Sequence, residues 1–322
     1  MSSSLIILDE LAFSSGFSPT SVWIRNSGRP KNQQWYQHYS SWAKNSDASS
    51  STYGSFSVTF EGSSIAFTGN TPPRTQKQTF SVSIDEADTY VASYPSKHTY
   101  MQWYMSPMLK EGTHTITLTE MEGTYVDYAL ISVSNQTNIL GKDILVDSIS
   151  DRIVWTGDWQ TDTSTLIHAS NFHIVNYPLG NSTKDSRTVG NSFSFKFSDG
   201  GKATTFSTTS ASLGSDLANT MLFSSQILDF GIHILVMNIT TVTGDQSLKL
   251  DYITYSNRGS DNNSSPSPSG SSVSLSVSSS NRPSSPNTSD PTPKATNSKR
   301  IVGGIVFCFG GDKKDKLAIE LN

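Results

Sequence analysis

The chain has 322 residues, a net charge of −4 and 34% hydrophobic residues. This length could hold two domains of ordinary size. Its Lys and Arg residues are not clustered, which argues against a nucleic-acid-binding surface, so no nucleic-acid partner is expected. The single cysteine, Cys308, excludes an intramolecular disulfide and a cysteine-based zinc site.

The N-terminal stretch, residues 1–10, lacks the pattern of a signal peptide. No basic residue precedes its apolar core. That core, Leu5–Leu8, is shorter than the roughly 7–15 apolar residues that an export signal needs. The chain as written is therefore expected to have no export signal.

A group of aromatic residues follows in a polar, loop-like region ahead of the first clear strand. Trp35, Tyr36 and Trp42 stand there among Asn and Gln residues. Aromatic faces pack against the apolar side of a sugar ring, while nearby polar groups orient the sugar. The alternative is that these rings fill the core, as Trp often does in β-sandwiches. We predict Trp35, Tyr36 and Trp42 as ligand-binding residues.

Strictly alternating segments dominate the residues that come next. Polar and apolar residues alternate in Phe56–Phe60, Phe80–Ile84, His114–Leu118 and Phe193–Phe197. A period of two places every apolar side chain on one face of a strand. Turn residues separate the segments, and many short strands of this kind are typical of antiparallel sandwiches.

One longer pattern occurs twice in the chain. An aromatic residue, a Ser, a Gly-x-His and an Asp-Tyr follow one another in the same order. These residues are Tyr104, Ser106, Gly112, His114 and Asp127 in the first copy and Phe223, Ser225, Gly231, His233 and Asp251 in the second. The repeat predicts two tandem antiparallel β-sandwiches of jelly-roll type, at residues 5–137 and 142–257.

The second copy is shorter than the first. Phe56 to Gly112 spans 56 residues, whereas Phe193 to Gly231 spans 38. The segment Phe80–Ile84 has no clear counterpart in the second copy. A sandwich that lacks a strand exposes an edge and part of its core, so we predict an abbreviated second sandwich.

The composition changes after Arg258. Residues 258–300 are rich in Ser and Pro and have few groups to bury, which predicts a disordered stalk. The tail, residues 301–322, contains the apolar run Ile301–Phe309, which is shorter than the about 20 residues that span a bilayer. Contact with a membrane is therefore expected only if the gene encodes a longer apolar helix after Ile301.

Sequons for N-glycosylation occur at Asn135, Asn181 and Asn238, and again in the Ser-rich segment. Such sites are meaningful only in a secreted chain. We treat these three asparagines as glycosylation candidates.

Two stretches of the chain resemble a module of mushroom-forming fungi. Ile144–Asp147 followed by Ile153–Trp159 looks like its opening strand, and the Gly-x-His and Asp-Tyr-Ile pattern looks like its close. The resemblance covers roughly residues 5–300. It implies membrane-anchored glycoproteins with two galactose-binding-like jelly rolls and a Ser/Thr/Pro stalk, and hence an extracellular or cell-surface location. This chain departs from the pattern in its signal peptide, its second module and its membrane helix.

Motifs of catalysis are absent from the sequence. The chain has no Gly-x-Ser-x-Gly, no His-Glu-x-x-His and no phosphate-binding Gly-rich loop. The recurring His114 and His233 have a structural alternative as strand residues bonded to backbone, and Asp127 and Asp251 as acceptors of backbone N–H groups. We expect no catalysis, no cofactor and no metal site.

Two functions remain open from the sequence alone. The first is binding of glycans or cell-wall polysaccharide by loops at one end of the first sandwich, because loops vary while the sheets hold them in place. The second is a structural spacer or protein–protein interaction module with no small ligand. A fold by itself does not choose between them.

Overall fold

A computed structural model describes residues 4–26, 40–43, 53–163, 166–167, 175–198, 203–207, 220–225, 228, 231–242, 247–257, 299–300, 303–308 and 316–321. Throughout these residues the chain is built of strands, with two short 3-10 helices, Glu10–Gly16 and Leu179–Asn181. The strands form several mostly antiparallel sheets that pack as sandwiches. The predicted all-β sandwich class is therefore confirmed.

The first copy of the repeated pattern supplies three groups of strands. In chain order they are β1 (Ser4–Asp9), β2 (Phe17–Ser18), β3 (Trp23–Asn26), β4 (Ser40–Ala43), β5 (Gly54–Gly62), β6 (Ser64–Asn70), β7 (Thr79–Ile84), β8 (Tyr90–Ser93), β9 (Thr99–Met105), β10 (Gly112–Met121), β11 (Tyr125–Val126) and β12 (Tyr128–Val133). One face of the sandwich is β9-β6-β12-β1, the other is β2-β5-β10-β7-β8, and β11-β4-β3 forms a small third sheet.

The second copy supplies the next strands. In chain order they are β13 (Lys142–Asp147), β14 (Ile153–Thr156), β15 (Gln160–Asp162), β16 (Leu166–Ile167), β17 (Val175–Asn176), β18 (Thr183–Ser186), β19 (Ser192–Ser198), β20 (Ala203–Ser207), β21 (Thr220–Ser224), β22 (Ile232–Thr241), β23 (Leu248–Leu250) and β24 (Tyr252–Asn257). The sheet β21-β20-β24-β13 and the small sheet β23-β18-β15 repeat the arrangement of the first copy.

Alternation of side chains explains why these segments pair as they do. Phe56, Val58 and Phe60 of β5 are buried, while the residues between them are half-buried or exposed. The ring of Phe56 meets the ring of Phe67 in β6 with centroids 5.1 Å apart, edge to face. Aromatic pairs favour this arrangement. The core of the first sandwich therefore lies between the sheets that hold β5 and β6.

Two recurring side-chain contacts show that the copies share local geometry. The indole N–H of Trp23 donates to the carbonyl of Ser55 at 3.0 Å, and that of Trp159 donates to the carbonyl of Ser192 at 3.1 Å. Ser55 and Ser192 each precede the phenylalanine that begins the alternating segment of their copy. Trp23 and Trp159 are thus structural equivalents, although they stand at different distances from their opening strands.

The two copies join through their first strands. β1 pairs antiparallel with β13, and Ile6 lies opposite Ile144. These two isoleucines are equivalent, since each stands three residues before the Asp that ends its strand. The pairing extends one face of each sandwich into a single ten-stranded sheet, whose order is β16-β17-β9-β6-β12-β1-β13-β24-β20-β21.

Segments from the C-terminal tail also enter a sheet. They are β25 (Lys299–Arg300), β26 (Gly303–Cys308) and β27 (Lys316–Leu321). β27 pairs antiparallel with β22 and with β26, which gives the order β14-β19-β22-β27-β26. With β25 paired to β22, this sheet has six strands. The predicted boundaries of the stalk and tail stay a prediction. Among the described residues no helix is long and apolar enough to cross a membrane.

Candidate functional site

The aromatic residues predicted to bind ligand are only partly covered by the structure. Trp35 and Tyr36 lie outside the described residues. The backbone of Trp42 lies in β4 and pairs with Tyr125 of β11. The prediction for these three residues therefore stays a prediction.

Several other aromatic residues belong to the core or lie against it. Trp103 is 2% exposed and Tyr104 is 8% exposed. Their rings pack against Phe67 and Phe80 at centroid distances between 5.5 and 6.1 Å. Trp155 is half-buried and lies 4.6 Å from the ring of Trp159. Trp103 and Tyr104 are therefore core residues.

The three glycosylation candidates occupy different settings. Asn135 is exposed in the turn after β12, and Asn181 is exposed at the end of the second 3-10 helix. Asn238 is half-buried within β22, between Ser192 of β19 and Glu320 of β27. A strand with neighbours on both sides offers less room for a glycan than a turn does, so Asn135 and Asn181 remain the more accessible candidates.

His114 of the repeated pattern has a structural role. Its Nδ1 lies 2.6 Å from Oδ2 of Asp85, and its Nε2 lies 2.6 Å from the carbonyl oxygen of Lys110. The bond to Asp85 raises the pKa of His114, with a further contribution from the Lys110 carbonyl. Both ring nitrogens are thus engaged in holding the turn before β10 against the turn after β7. The expected backbone bond of this histidine is confirmed.

The Asp of the recurring Asp-Tyr pair is buried and accepts a hydrogen bond in each copy. Tyr100 donates its hydroxyl to Oδ2 of Asp127 at 2.6 Å. In the second copy the N–H of Leu179 donates to Oδ1 of Asp251 at 3.0 Å. Burial, and then the nearby carboxylate of Asp147, raises the pKa of Asp251 well above its ordinary range. The predicted role of Asp251 as an acceptor of a backbone N–H is confirmed.

An open pocket of about 410 Å³ lies where loops of the first sandwich meet a segment of the second copy. It lies beside the loop between β6 and β7 and the loop between β8 and β9. Its lining residues are Pro73, Arg74, Ser96, Lys97, His98, Thr99 and Tyr177. We call this feature the end-loop pocket.

Backbone hydrogen bonds fix the walls of the end-loop pocket. The N–H of His98 donates to the carbonyl of Pro72 at 3.0 Å, and the N–H of Thr71 donates to the carbonyl of Thr99 at 2.9 Å. His98 has a φ of 51°, the left-handed conformation that suits a tight turn. The two loops are thereby tied together beside the start of β9.

Tyr177, which lines the end-loop pocket, belongs to the second copy. β17 pairs in parallel with β9, and the N–H of Tyr177 donates to the carbonyl of Tyr100 at 2.9 Å. The side chain of Tyr177 is half-buried. One aromatic ring is therefore placed beside loops that are distant from it in sequence.

The pocket carries positive charge. Arg74 and Lys97 are exposed, and within the described part of the chain neither side chain makes an ion pair or a hydrogen bond. An arginine guanidinium matches a carboxylate or phosphate with two parallel hydrogen bonds, and a lysine adds a point charge. Ser96 and Thr99 also line the pocket, and their hydroxyl groups are paired with each other at 3.0 Å. This set of groups suits a hydroxyl-bearing ligand with negative charge.

A second open pocket, of about 390 Å³, lies on the outer face of the first five-stranded sheet. It is lined by Ser57, Ser83, Glu86, Thr89, Thr115, Thr117 and Thr119. Its central hydroxyl groups are already paired, since Ser57 Oγ lies 3.0 Å from Thr117 Oγ1. The pocket has no aromatic ring and no cation. It is the weaker of the two candidates for a ligand.

Metal binding finds no support in the parts of the chain that the structure describes. No three His, Cys, Asp or Glu side chains converge there to form a cation site. The end-loop pocket offers donors and positive charge, which would repel a metal ion rather than bind it.

Comparisons with known proteins give little further information. No family model and no curated protein matches the chain. Among solved structures, a xanthan lyase of Paenibacillus aligns with a TM-score of 0.25 and 10% sequence identity, over 73% of this chain and 25% of that protein. The chain thus spans about a quarter of that lyase, and a TM-score of this size does not establish a common fold.

The end-loop pocket could not have been located from the sequence. Pro72 and Pro73 mark a turn, and Lys97 with His98 marks another, but nothing in the sequence brings the two turns together. The aromatic residue of the pocket arrives through the parallel pairing of β17 with β9, which joins residues of different copies. Only the fold reveals this juxtaposition.

Proposed function

We propose that the protein is a non-catalytic, cell-surface-type module that binds carbohydrate or cell-wall polymer through the end-loop pocket of its first sandwich. The observation that carries the proposal is the meeting of Arg74, Lys97 and Tyr177 in one open pocket. A β-sandwich whose loops converge at one end is compatible with this use, because rigid sheets hold variable loops in place.

The charge of the pocket narrows the ligand class. A neutral glycan needs an aromatic face and a few hydrogen bonds, whereas two unpaired cations favour a ligand with carboxylate groups. The pocket supplies Tyr177 for a sugar face and Arg74 with Lys97 for the acid group. The proposed ligand is therefore a polysaccharide that contains uronic acid or other carboxylate-bearing sugars.

The test measures binding of the full chain to a polyuronate and to a neutral polysaccharide by titration calorimetry. We expect the polyuronate to bind and the Arg74→Ala/Lys97→Ala variant to lose about tenfold or more in affinity, because charge-assisted hydrogen bonds contribute about 1.5–3 kcal/mol each. Tyr177→Ala should weaken binding without changing its salt dependence, since the ring carries no charge.

A matched control removes the same charge elsewhere. Lys142 and Arg187 are exposed residues outside the pocket, so Lys142→Ala/Arg187→Ala should leave binding unchanged. Equal losses in both double variants would mean that binding follows net charge alone and would contradict the proposed site. Trp35→Ala belongs in the same series, because a loss there would place the ligand on the aromatic group predicted from the sequence.

A second function has support from the exposed edges of the first sandwich. Val91 in the edge strand β8 is 69% exposed, and Met105 and Met108 are 64% and 78% exposed. The hydroxyl groups of Tyr90 and Tyr104, 2.8 Å apart, join β8, which carries Val91, to β9, which ends at Met105. An exposed apolar edge fits a protein partner better than a sugar. Capture of a protein partner that Val91→Lys abolishes, with no glycan bound, would favour this alternative.

A further inference from the structure

We propose that β22 has a strand-accepting edge and that the C-terminal hairpin of this chain, β26 and β27, is the partner which the second sandwich requires. The inference is independent of the proposed function. It rests on a correspondence between the five-stranded sheet β2-β5-β10-β7-β8 and the path β14-β19-β22-β27-β26 of the six-stranded sheet that also contains β25. The hairpin stands in the places that β7 and β8 hold in the first copy.

The register supports the correspondence residue by residue. Leu118 and Met237 stand at equivalent positions, six residues after the Gly of each copy. Leu118 lies opposite Val82 of β7, and Met237 lies opposite Leu321 of β27. β7 and β27 both run antiparallel to the strand that they pair with here, β10 and β22. β27 therefore repeats both the direction and the register of β7.

The sequence of β27 has the pattern that this position needs. Leu317, Ile319 and Leu321 alternate with Ala318 and Glu320. Alternation with a period of two is typical of a strand with one face on a core. In the register described above, Ile319 stands at the position that Phe80 holds in β7. The apolar positions of the two strands therefore coincide.

The length of the second copy also indicates that it lacks a strand of its own at this position. Its interval between the alternating segment and the repeated Gly is 38 residues against 56 in the first copy, a difference large enough to contain β7 and β8, Thr79–Ser93. Without a neighbour, β22 would present a long row of unpaired backbone groups, which is a template for pairing with another chain. β25 and β27 cover this row at His233–Ile234 and at Met237–Thr241.

The strand that fills this position comes at a different place in the chain in each copy. The sequence repeat therefore does not show that β27 is the counterpart of β7. In the first copy β7 precedes β10 in the chain, whereas β27 follows β22 after the Ser-rich segment. The strand is thus supplied from beyond the module that it completes.

The first experiment uses the full chain and hydrogen exchange of the β22 amides. Ile319→Pro removes an N–H from a strand that has neighbours on both sides, and proline is not tolerated in such a position. We expect β22 to lose protection in this variant, while β10 of the first copy keeps it. Ser279→Pro, within a segment already rich in proline, is the control and should change neither. Full protection of β22 in Ile319→Pro would overturn the proposal.

A second experiment separates the hairpin from its acceptor. A chain that ends at residue 298 should lose the protection of β22 or form dimers through this edge, as gel filtration with light scattering would show. A synthetic peptide of residues 299–322, present during refolding, should restore protection and the monomeric state, and the same peptide with Ile319→Pro should not. If the shortened chain keeps its protection and its melting temperature, or if the two peptides act alike, the hairpin is not the required partner.

Discussion

Ser106 and Ser225 each fasten a strand to its neighbour. The Ser106 hydroxyl accepts the N–H of Ile65 at 3.1 Å, and the Ser225 hydroxyl accepts the N–H of Ala203 at 2.9 Å. Both backbone donors are buried, and the return bonds run from the serine N–H groups to the carbonyls of the same partners at 2.8 Å. The recurrence of these serines in the sequence therefore has a structural cause.

Replacing either serine should destabilise the fold. Ser106→Ala leaves the buried N–H of Ile65 without its acceptor, which costs about 1–3 kcal/mol in the free energy of unfolding. Ser225→Ala should cost a similar amount through Ala203. Urea denaturation of each variant measures the loss. Ser93→Ala, at an exposed position of β8, should stay within the error of the parent, and a comparable loss there would show that the method reports something other than the lost acceptor.

The repeated sequence pattern identified residues with structural roles, but it did not identify the residues of the end-loop pocket. The serines of the pattern were visible in the sequence because both copies keep the same hydrogen bonds to them. Arg74, Lys97 and Tyr177 have no counterpart in such a pattern, since the pocket they line joins loops of one copy to a segment of the other. A site formed once, between copies, leaves no repeated signal.

At the scale of elements, the first strand of each copy ends in a half-buried carboxylate. Burial raises the pKa of Asp147, at the end of β13, to about 6 from an ordinary value of 3.8. Burial and the adjacent Glu10 raise the pKa of Asp9, at the end of β1, to about 8. Gly180 covers Asp147 so closely that a Cβ there would lie 2.6 Å from Oδ2 of the carboxylate. Both strand ends thus favour the neutral acid.

The pH dependence of stability follows from these shifts. A carboxyl group whose pKa is raised by folding binds more protons in the folded state, so stability falls as pH rises from the ordinary pKa to the raised one. For Asp147 this window runs from about pH 4 to about pH 6, with a loss on the order of 2–3 kcal/mol. Asp147→Asn keeps the acceptor oxygen and removes the charge, so it should flatten the decline in this window.

Chemical denaturation at a series of pH values measures this effect. Asp151→Asn, an exposed neighbour, serves as the control and should follow the parent chain. Removal of the Asp147 charge also lowers the pKa of Asp251, because that charge is one of the causes of its rise. This second effect also makes stability fall less as pH rises. Stability that rises between pH 4 and pH 6 in the parent chain, or an unchanged slope in Asp147→Asn, would contradict the assignment.

It was easier to predict from the sequence where a strand lies than which strand it pairs with. The alternating residues of β5, β7, β10 and β19 were identified from the sequence, because a period of two needs only local information. The pairing of β27 with β22 was not, since it joins residues separated by the whole Ser-rich segment. Sequence length showed that a strand was missing from the second copy, and only the sheet order showed where its replacement comes from.

At the scale of the whole molecule, the two copies share one sheet and one core. Leu145 of β13 is 2% exposed and lies opposite Leu5 of β1. On the same face of the sheet, Leu145 belongs to a buried cluster with Tyr128 of the first copy and with Leu179 and Tyr252 of the second. Neither sandwich can unfold without exposing apolar surface of the other.

Heating should therefore unfold both copies together. We expect a single transition in calorimetry of the full chain, and Leu145→Ala should lower its midpoint without dividing it, because large-to-small core changes cost about 2–5 kcal/mol. Lys142→Ala, an exposed change in the same strand, is the control. Two separate transitions, of which Leu145→Ala moves only one, would show that the sandwiches are independent.

The antiparallel pairing of β1 with β13 sets the directions in which the copies face. Equivalent strands that run in opposite directions carry their loops to opposite ends, with the pair Ile6 and Ile144 between them. Ligands taken at equivalent ends of the two copies would lie on opposite sides of the molecule. The repeat therefore does not present two equivalent loop ends to a single flat surface.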